Sequence, residues 1–200
     1  DFGVTFNYFE IIEYFMSKCD PTKLSIIFQT NGVNVISNKW LDKLSQLRSV
    51  EMSVSIDCIE DKFNYLRRGA SWEDVSNNVL YYKQLSMDYE WFFLSLEQTI
   101  SVLSLFYRQS LIKWAEEHDI HYNEHLAFDV YSLRAISNEY INALLGRGGG
   151  WARYIPLASD ISNDFFISEF INHITWYDST TGSNWKKTFP EIAQFYSDYI

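Results

Sequence analysis

Thr30, Asn31, Ser55, Asp57 and Gln98 are polar residues that stand at or just beyond the ends of apolar, β-rich runs, and Arg67 lies in the loop that follows Asp57. Hydroxyls and amides both give and take hydrogen bonds, an aspartate only accepts, and a guanidinium can hold a carboxylate through two parallel bonds. Together these types suit a zwitterionic, hydroxyl-rich ligand. Taken singly, Thr30-Asn31-Gly32 reads as a tight turn, in which the glycine permits positive φ, and Ser55-Ile56-Asp57 reads as the cap of a following helix. Arg67 and its neighbour Arg68 could equally be solvated, or pair with Glu60, Asp61, Glu73 or Asp74. The recurrence of such residues at one end of consecutive units favours a site.

The elements that must position them follow a rhythm. Leu24 to Gln29 is a strand that runs into Thr30-Asn31-Gly32, and a helix pattern follows over 38–47. Val50 to Asp57 repeats the strand, and Ser71 to Leu80 repeats the helix. A third unit pairs a strand ending at Gln98 and Thr99 with a helix over Leu103–His118, and His121 to Val130 reads as a fourth strand. Strand, helix, strand, helix implies parallel strands with crossovers, and in such sheets and barrels the polar groups that do chemistry collect at the strands' carboxyl ends. The stretch 58–70 reads as a loop long enough to fold over those ends.

Upstream, Asn7 to Lys18 reads as an amphipathic helix with Phe9, Ile12, Phe15 and Met16 on its apolar side, and no strand precedes it. A unit with its helix but without its strand predicts further units before Asp1 and an exposed edge or apolar groove beside the Leu24 strand. After Ser132 the rhythm stops. Ile141 to Leu145 ends at Gly146-Arg147-Gly148-Gly149-Gly150, which has no strand before it and no Lys-Ser/Thr after it, so it reads as a helix terminus and hinge, not a phosphate loop. A helix over Asp164–Tyr177 and a final segment from Asn184 to Ile192, packed across the barrel's bottom or side, complete the chain. The expected fold is α/β: a partial (βα) barrel over 1–131 with a helical C-terminal extension over 132–200.

Composition narrows the function. With 16 basic and 26 acidic residues and a net charge of −10, the chain lacks the clustered cations that a duplex nucleic-acid binder needs. Its 7 Trp, 14 Tyr and 15 Phe exceed the needs of a minimal core, so some are expected to line a cleft or a partner surface. Cys19 and Cys58 stand far apart with no C-x-x-C partner, so no metal or cluster site is expected from them, and His121, Glu124 and His125 lack an obvious companion ligand. No apolar run is long enough to span a bilayer and no leader pattern opens the chain, which points to a soluble, cytoplasmic protein without membrane partners.

These residues resemble the radical SAM superfamily, in particular members with SPASM or shortened twitch C-terminal regions. Thr30-Asn31-Gly32 is similar to that group's third-strand motif and Ser55-Ile56-Asp57 to its fourth-strand Ser-x-Asp. Tyr65-Leu66-Arg67, with Trp72 and Asn78-Val79 behind it, resembles the group's Tyr-Ile-Arg and following helix, and Trp185 to Pro190 its Trp-x-x-x-Phe-Pro ending. The resemblance implies a partial (βα)6 barrel, a [4Fe-4S] cluster and S-adenosylmethionine, cleaved to a 5′-deoxyadenosyl radical that abstracts hydrogen from a substrate such as a peptide. It further implies that Ser55 and Arg67 lie at the cofactor's ribose and carboxylate, with Thr30, Asn31, Asp57 and Gln98 around them. The family's C-x-x-x-C-x-x-C and its Gly-Gly-Glu are absent, and Cys58 stands where glycine is usual. The chain is therefore expected to carry no cluster by itself. A module of another class, a cluster-less scaffold binding a peptide or protein partner, stays open beside the enzyme.

Overall fold

The computed structural model describes residues 8–147, 154 and 164–200. In chain order the elements are α1 (Tyr8–Lys18), β1 (Ser25–Thr30), α2 (Asn38–Leu44), β2 (Ser49–Ser55), α3 (Glu60–Leu66), α4 (Trp72–Asp88), β3 (Phe92–Ile100), α5 (Val102–Leu105), α6 (Arg108–Glu117), β4 (His121–Leu126), α7 (Asn138–Gly146) and α8 (Asp164–Thr181). Two short helices, Trp185–Thr188 and Pro190–Ala193, follow.

The strands form one four-stranded parallel sheet in the order β1-β2-β3-β4. β1 runs beside β2 from Ser25 opposite Ser49 to Thr30 opposite Val54, and β2 beside β3 from Val50 opposite Phe92 to Ser55 opposite Glu97. Parallel neighbours cannot be joined by a hairpin, so each needs the helical crossover that the alternating patterns announced. Among the described residues β1 is paired on one side only, and its Ile27 is 68 % exposed.

Two differences from the sequence reading bear on the site. The stretch after Asp57 is not an open loop, because Glu60–Leu66 folds into α3 with Phe63 and Tyr65 buried and Glu60 and Asp61 in the first turn, where the helix dipole favours acids. The helix expected over 103–118 is two helices. Ser101 and Ser104 form a capping box that starts α5, and the Phe106 amide donates to the Tyr140 hydroxyl at 3.1 Å instead of continuing the helix. The glycine run 148–150 lies outside the described residues.

The chain divides into two compact units. The first takes the described residues of Asp1–Ile56, Gly69–Gln98 and Ile112–Asn123. Alternation along its strands sends Val50, Met52 and Val54, with Phe92, Leu94 and Leu96, to one buried face. α4 supplies Val75, Val79 and Tyr82, spaced by four and three residues so that they share a stripe, and the Tyr82 ring stacks on Phe92. Burying each such side chain is worth about 1.5–3 kcal/mol. The opposite face of the sheet mixes Glu51, Ser53, Ser55, Ser95 and Glu97 with the exposed Ile27 and Phe93.

The second unit takes the described residues of Asp57–Arg68, Thr99–Leu111 and Glu124–Ile200. Its core is aromatic: Phe106, Tyr140, Phe170, Trp185, Phe189 and Tyr196 are all buried. The phenols keep their hydrogen bonds there, Tyr140 to the Val102 carbonyl at 2.8 Å and Tyr196 to that of Ala135 at 2.6 Å. Asp178 ties the unit together, accepting from the Tyr65 hydroxyl and the Trp185 amide, each at 2.8 Å. Much of the aromatic excess is thus spent on packing this unit.

Candidate functional site

In the first unit the expected Thr-Asn-Gly turn forms at the carboxyl end of β1. The Gly32 amide donates to Thr30 Oγ1 at 3.2 Å and the Val33 amide to Asn31 Oδ1 at 3.1 Å. Gly32 has φ +75°, and a Cβ there would lie 2.9 Å from Val54 Cγ1 and 3.0 Å from Val75 Cγ1. The turn is also held from α4, where Asn78 Nδ2 donates to the carbonyls of Gly32 and Val33 at 2.9 and 3.0 Å. Thr30 is buried and its oxygen serves this turn, while the Asn31 amide nitrogen has no partner among the described residues.

Ser55 ends β2 directly opposite Glu97 and belongs to this mixed face of the sheet. That face reads Glu51, Ser53 and Ser55 along β2 and Ser95 and Glu97 along β3. Ser95 Oγ lies 2.9 Å from Glu51 Oε1 and 3.5 Å from Glu97 Oε1, and Asn123 Nδ2 donates to Glu97 Oε1 at 2.9 Å. Gln98 is wholly buried and accepts from the Tyr122 hydroxyl. By alternation its side chain leaves β3 on the face opposite Glu97. Glu51, Ser53, Ser95 and Glu97 stand mid-strand, so a search of strand ends passes over them, although Glu51-x-Ser53-x-Ser55 and Ser95-x-Glu97 place polar residues at every second position.

In the second unit Asp57 and Arg67 line a cavity of about 680 Å³. Asp57 Oδ2 accepts from Arg67 Nε at 3.0 Å and pairs with its Nη2 at 2.8 Å, while Oδ1 accepts from the Thr99 amide at 3.0 Å. Asp57 therefore joins an arginine to the backbone near the end of β3. Arg68 is exposed. Tyr131, His173 and Tyr177 add ring surface to the cavity. Burial pushes the Tyr131 phenol up, so it stays a proton donor at neutral pH. Burial first, and then the Asp178 hydrogen bond, pushes Tyr65 up in the same way. The cavity offers a guanidinium edge and phenols set among aromatic faces, a combination that receives a polar group carried on an apolar or aromatic body.

Cys58 is fully buried, and desolvation followed by the nearby Asp57 charge raises its thiol, so it is neither a thiolate ligand nor a nucleophile in this fold. Glu124 is taken by Arg108 Nε at 2.7 Å and the Tyr154 hydroxyl at 2.6 Å. Among the described residues no group of three His, Cys, Asp or Glu side chains is placed to hold a metal ion, and no helix is long and apolar enough to cross a membrane.

No family model matches the sequence, and no curated protein matches it. Two solved structures do. Polyhistidine-tagged anSMEcpe with bound AdoMet matches at a TM-score of 0.47 and 17 % identity, over 76 % of this chain and 42 % of that one. Native anSMEcpe with bound AdoMet and Cp18Cys peptide matches at 0.47 and 16 %, over 76 % and 44 %. The chain thus spans less than half the length of either.

Proposed function

We propose that this chain is part of a radical SAM protein and that its strand-end residues receive S-adenosylmethionine, with a peptide as the substrate. The observation that carries the reading is the register: Thr30-Asn31-Gly32 and Ser55-Ile56-Asp57, the two motifs of the resemblance, fall at the carboxyl ends of adjacent parallel strands. That is the end at which βα folds gather their chemistry.

The cluster and the cofactor fit this chain differently. A [4Fe-4S] centre needs three thiolates to hold it, and this chain offers an exposed Cys19 and a buried, protonated Cys58, so no step is routed through these residues. S-adenosylmethionine fits better. Ser55 would meet a ribose hydroxyl, and the Asn31 amide nitrogen would donate to an acceptor on the ligand. In the second unit, taken by itself, Arg67 is engaged on Asp57 through Nε and Nη2 and would offer its remaining donors to a carboxylate entering that unit's cavity. When bound, the cofactor supplies the group that abstracts hydrogen. The chain's own part is to orient it, to hold Arg67 in one pose through Asp57, and to keep water out.

The test is saturation-transfer NMR of the chain with S-adenosylmethionine, for the natural sequence and for Ser55→Ala. Transfer to the ribose protons is expected, and Ser55→Ala should weaken binding by about 1 kcal/mol, the worth of a neutral hydrogen bond. Absence of transfer, with the fold intact by circular dichroism, would overturn the reading in favour of the peptide-binding scaffold.

A further inference from the structure

The second unit's cavity, about 680 Å³, is lined by polar side chains whose hydrogens are only partly used. Arg67 meets Asp57 Oδ2 through Nε and Nη2, and its Nη1 has no partner among the described residues. A guanidinium carries more N–H donors than one carboxylate takes, so an arginine held along its Nε edge keeps a second edge for another acid. The Tyr131 and Thr99 hydroxyls and the His173 ring also line the cavity and make no hydrogen bond among the described residues. Asp57, the carboxylate on the same wall, is already matched, Oδ2 by Arg67 and Oδ1 by the Thr99 amide. The unspent side-chain groups are thus ones that can donate, and converging donors select a ligand rich in acceptors.

The rest of the wall is made of rings. Those of Tyr65 and Tyr177 lie 5.5 Å apart, and the Tyr177 hydroxyl donates to the Tyr65 carbonyl at 3.2 Å, which fixes the pair. Tyr131 meets His173 edge-on at 5.3 Å. Leu126 and Phe128 also line the cavity, yet are 40 % and 83 % exposed. Large apolar side chains left in solvent beside a cavity mark a place where a ligand's own apolar surface is received. Ring faces and edges held at such spacings favour an aromatic body over an aliphatic one. Ligand cavities commonly measure about 300–1,000 Å³, so this one has room for an aromatic residue and its neighbour.

We propose that this cavity receives the substrate peptide at a point where a carboxylate stands beside an aromatic ring, with the carboxylate on the open edge of Arg67 and the ring among Tyr65, Tyr177 and Phe128. Tyr131 and Thr99 donate to the same carboxylate. The inference rests on the peptide-acting reading given above and narrows its substrate to segments that carry an acid next to an aromatic residue. The acid is the peptide's own C-terminus or an aspartate side chain, which present the same pair of oxygens. Arg67 is then occupied by the peptide, and Ser55 and Asn31 in the first unit are left to the cofactor.

The experiment titrates the chain, followed by NMR, with acetyl-Gly-Phe and acetyl-Gly-Ala as free acids, and with acetyl-Gly-Phe-amide and acetyl-Asp-Phe-amide. It is repeated with S-adenosylmethionine present, and on Tyr131→Phe and Arg67→Lys, with circular dichroism as the check on folding. Arg67→Lys keeps a cation for Asp57 but gives up the open edge. Acetyl-Gly-Phe, acetyl-Asp-Phe-amide or both should bind at least about tenfold more tightly than acetyl-Gly-Phe-amide and acetyl-Gly-Ala, with shifts gathered on Tyr131, His173 and Tyr177. Each variant should lose about tenfold, since a hydrogen bond to a charged group is removed. Preference for acetyl-Gly-Phe names the C-terminus and preference for acetyl-Asp-Phe-amide the side chain, and either upholds the proposal. Equal binding, or equal absence of binding, of the acids and the neutral amide overturns it, and that comparison decides even if a variant unfolds. A tie between acetyl-Gly-Phe and acetyl-Gly-Ala removes the ring and overturns it too. Folded variants that keep the natural affinity overturn it as well, as does a peptide displaced by S-adenosylmethionine, which assigns the cavity to the cofactor. A chain that binds S-adenosylmethionine but neither aromatic acid sinks this proposal and leaves the cofactor reading standing. Binding of an aromatic acid without S-adenosylmethionine does the reverse.

Discussion

Asp57 and Arg67 are joined at two points, Arg67 Nε and Nη2 both meeting Asp57 Oδ2, while the aspartate's other oxygen holds the Thr99 amide. The aspartate side chain is 15 % exposed and the arginine's 31 %. Removing one partner of a poorly hydrated pair leaves the other charge unmatched, so the loss exceeds that for an exposed surface pair.

Arg67→Ala should therefore destabilise the chain by about 1–3 kcal/mol. Asp57→Asn keeps an acceptor for Thr99 and should cost less than Asp57→Ala. Urea unfolding of the three variants checks this ranking. Equal midpoints for Asp57→Asn and Asp57→Ala would mean that the Thr99 contact contributes nothing.

Gly32 is the position where the backbone and the packing agree on glycine. Its φ is +75°, and the missing Cβ space is already filled by methyls of Val54 and Val75. Gly32→Ala combines left-handed strain with overpacking and should cost about 2–4 kcal/mol in unfolding measurements. Val75→Ala opens space on one side of the residue. In the double variant the loss should fall below the sum of the two single ones, and strict additivity would show that strain alone is at work.

The reach of the sequence depends on how far each feature stretches along the chain. The four strands were legible because alternation and apolar runs are local, and α4 because Val75, Val79 and Tyr82 repeat at helical spacing behind Ser71, whose side chain caps the helix. α3 escaped notice because seven residues carry too little periodicity to separate a helix from a loop. Arg67's partner was hidden for a related reason: Asp57 stands ten residues away, and only the return of the chain through α3 brings the two together. The acid and serine pattern of β2 and β3 was present in the sequence, but its meaning depends on register, which sets Ser53 opposite Ser95 and Ser55 opposite Glu97.

The two cysteines should differ in reactivity. Cys19 is exposed, whereas Cys58 is buried with its thiol raised by desolvation and by Asp57. A disulfide reagent such as dithionitrobenzoate should release one equivalent quickly from the folded chain and the second only on adding denaturant. Two fast equivalents would show that the segment around α3 opens on its own.

Alkaline pH should unfold the protein through its buried and half-buried phenols. Tyr65, Tyr82, Tyr107, Tyr140 and Tyr196 all have pKa values raised from 10.0, with desolvation by burial as the largest cause. In the unfolded chain each phenol titrates near pH 10. The folded state holds these protons more tightly, so the stability they contribute is complete below about pH 10 and is lost as pH rises from there toward the folded values. Above pH 10 each phenol that ionises only on unfolding removes about 1.4 kcal/mol per pH unit. The urea midpoint should stay level from about pH 8 to 9 and fall beyond 10, with most of the phenolate absorbance from these residues appearing together with the loss of secondary structure. In Tyr82→Phe one such phenol is removed, along with the hydroxyl that accepts from the Ile36 amide at 3.2 Å and donates to the Asn34 carbonyl at 3.1 Å. That variant should be less stable at neutral pH but decline less steeply in alkali. A parallel fall in both proteins would mean that Tyr82 ionises in the native state, and would remove it from the set that couples pH to folding.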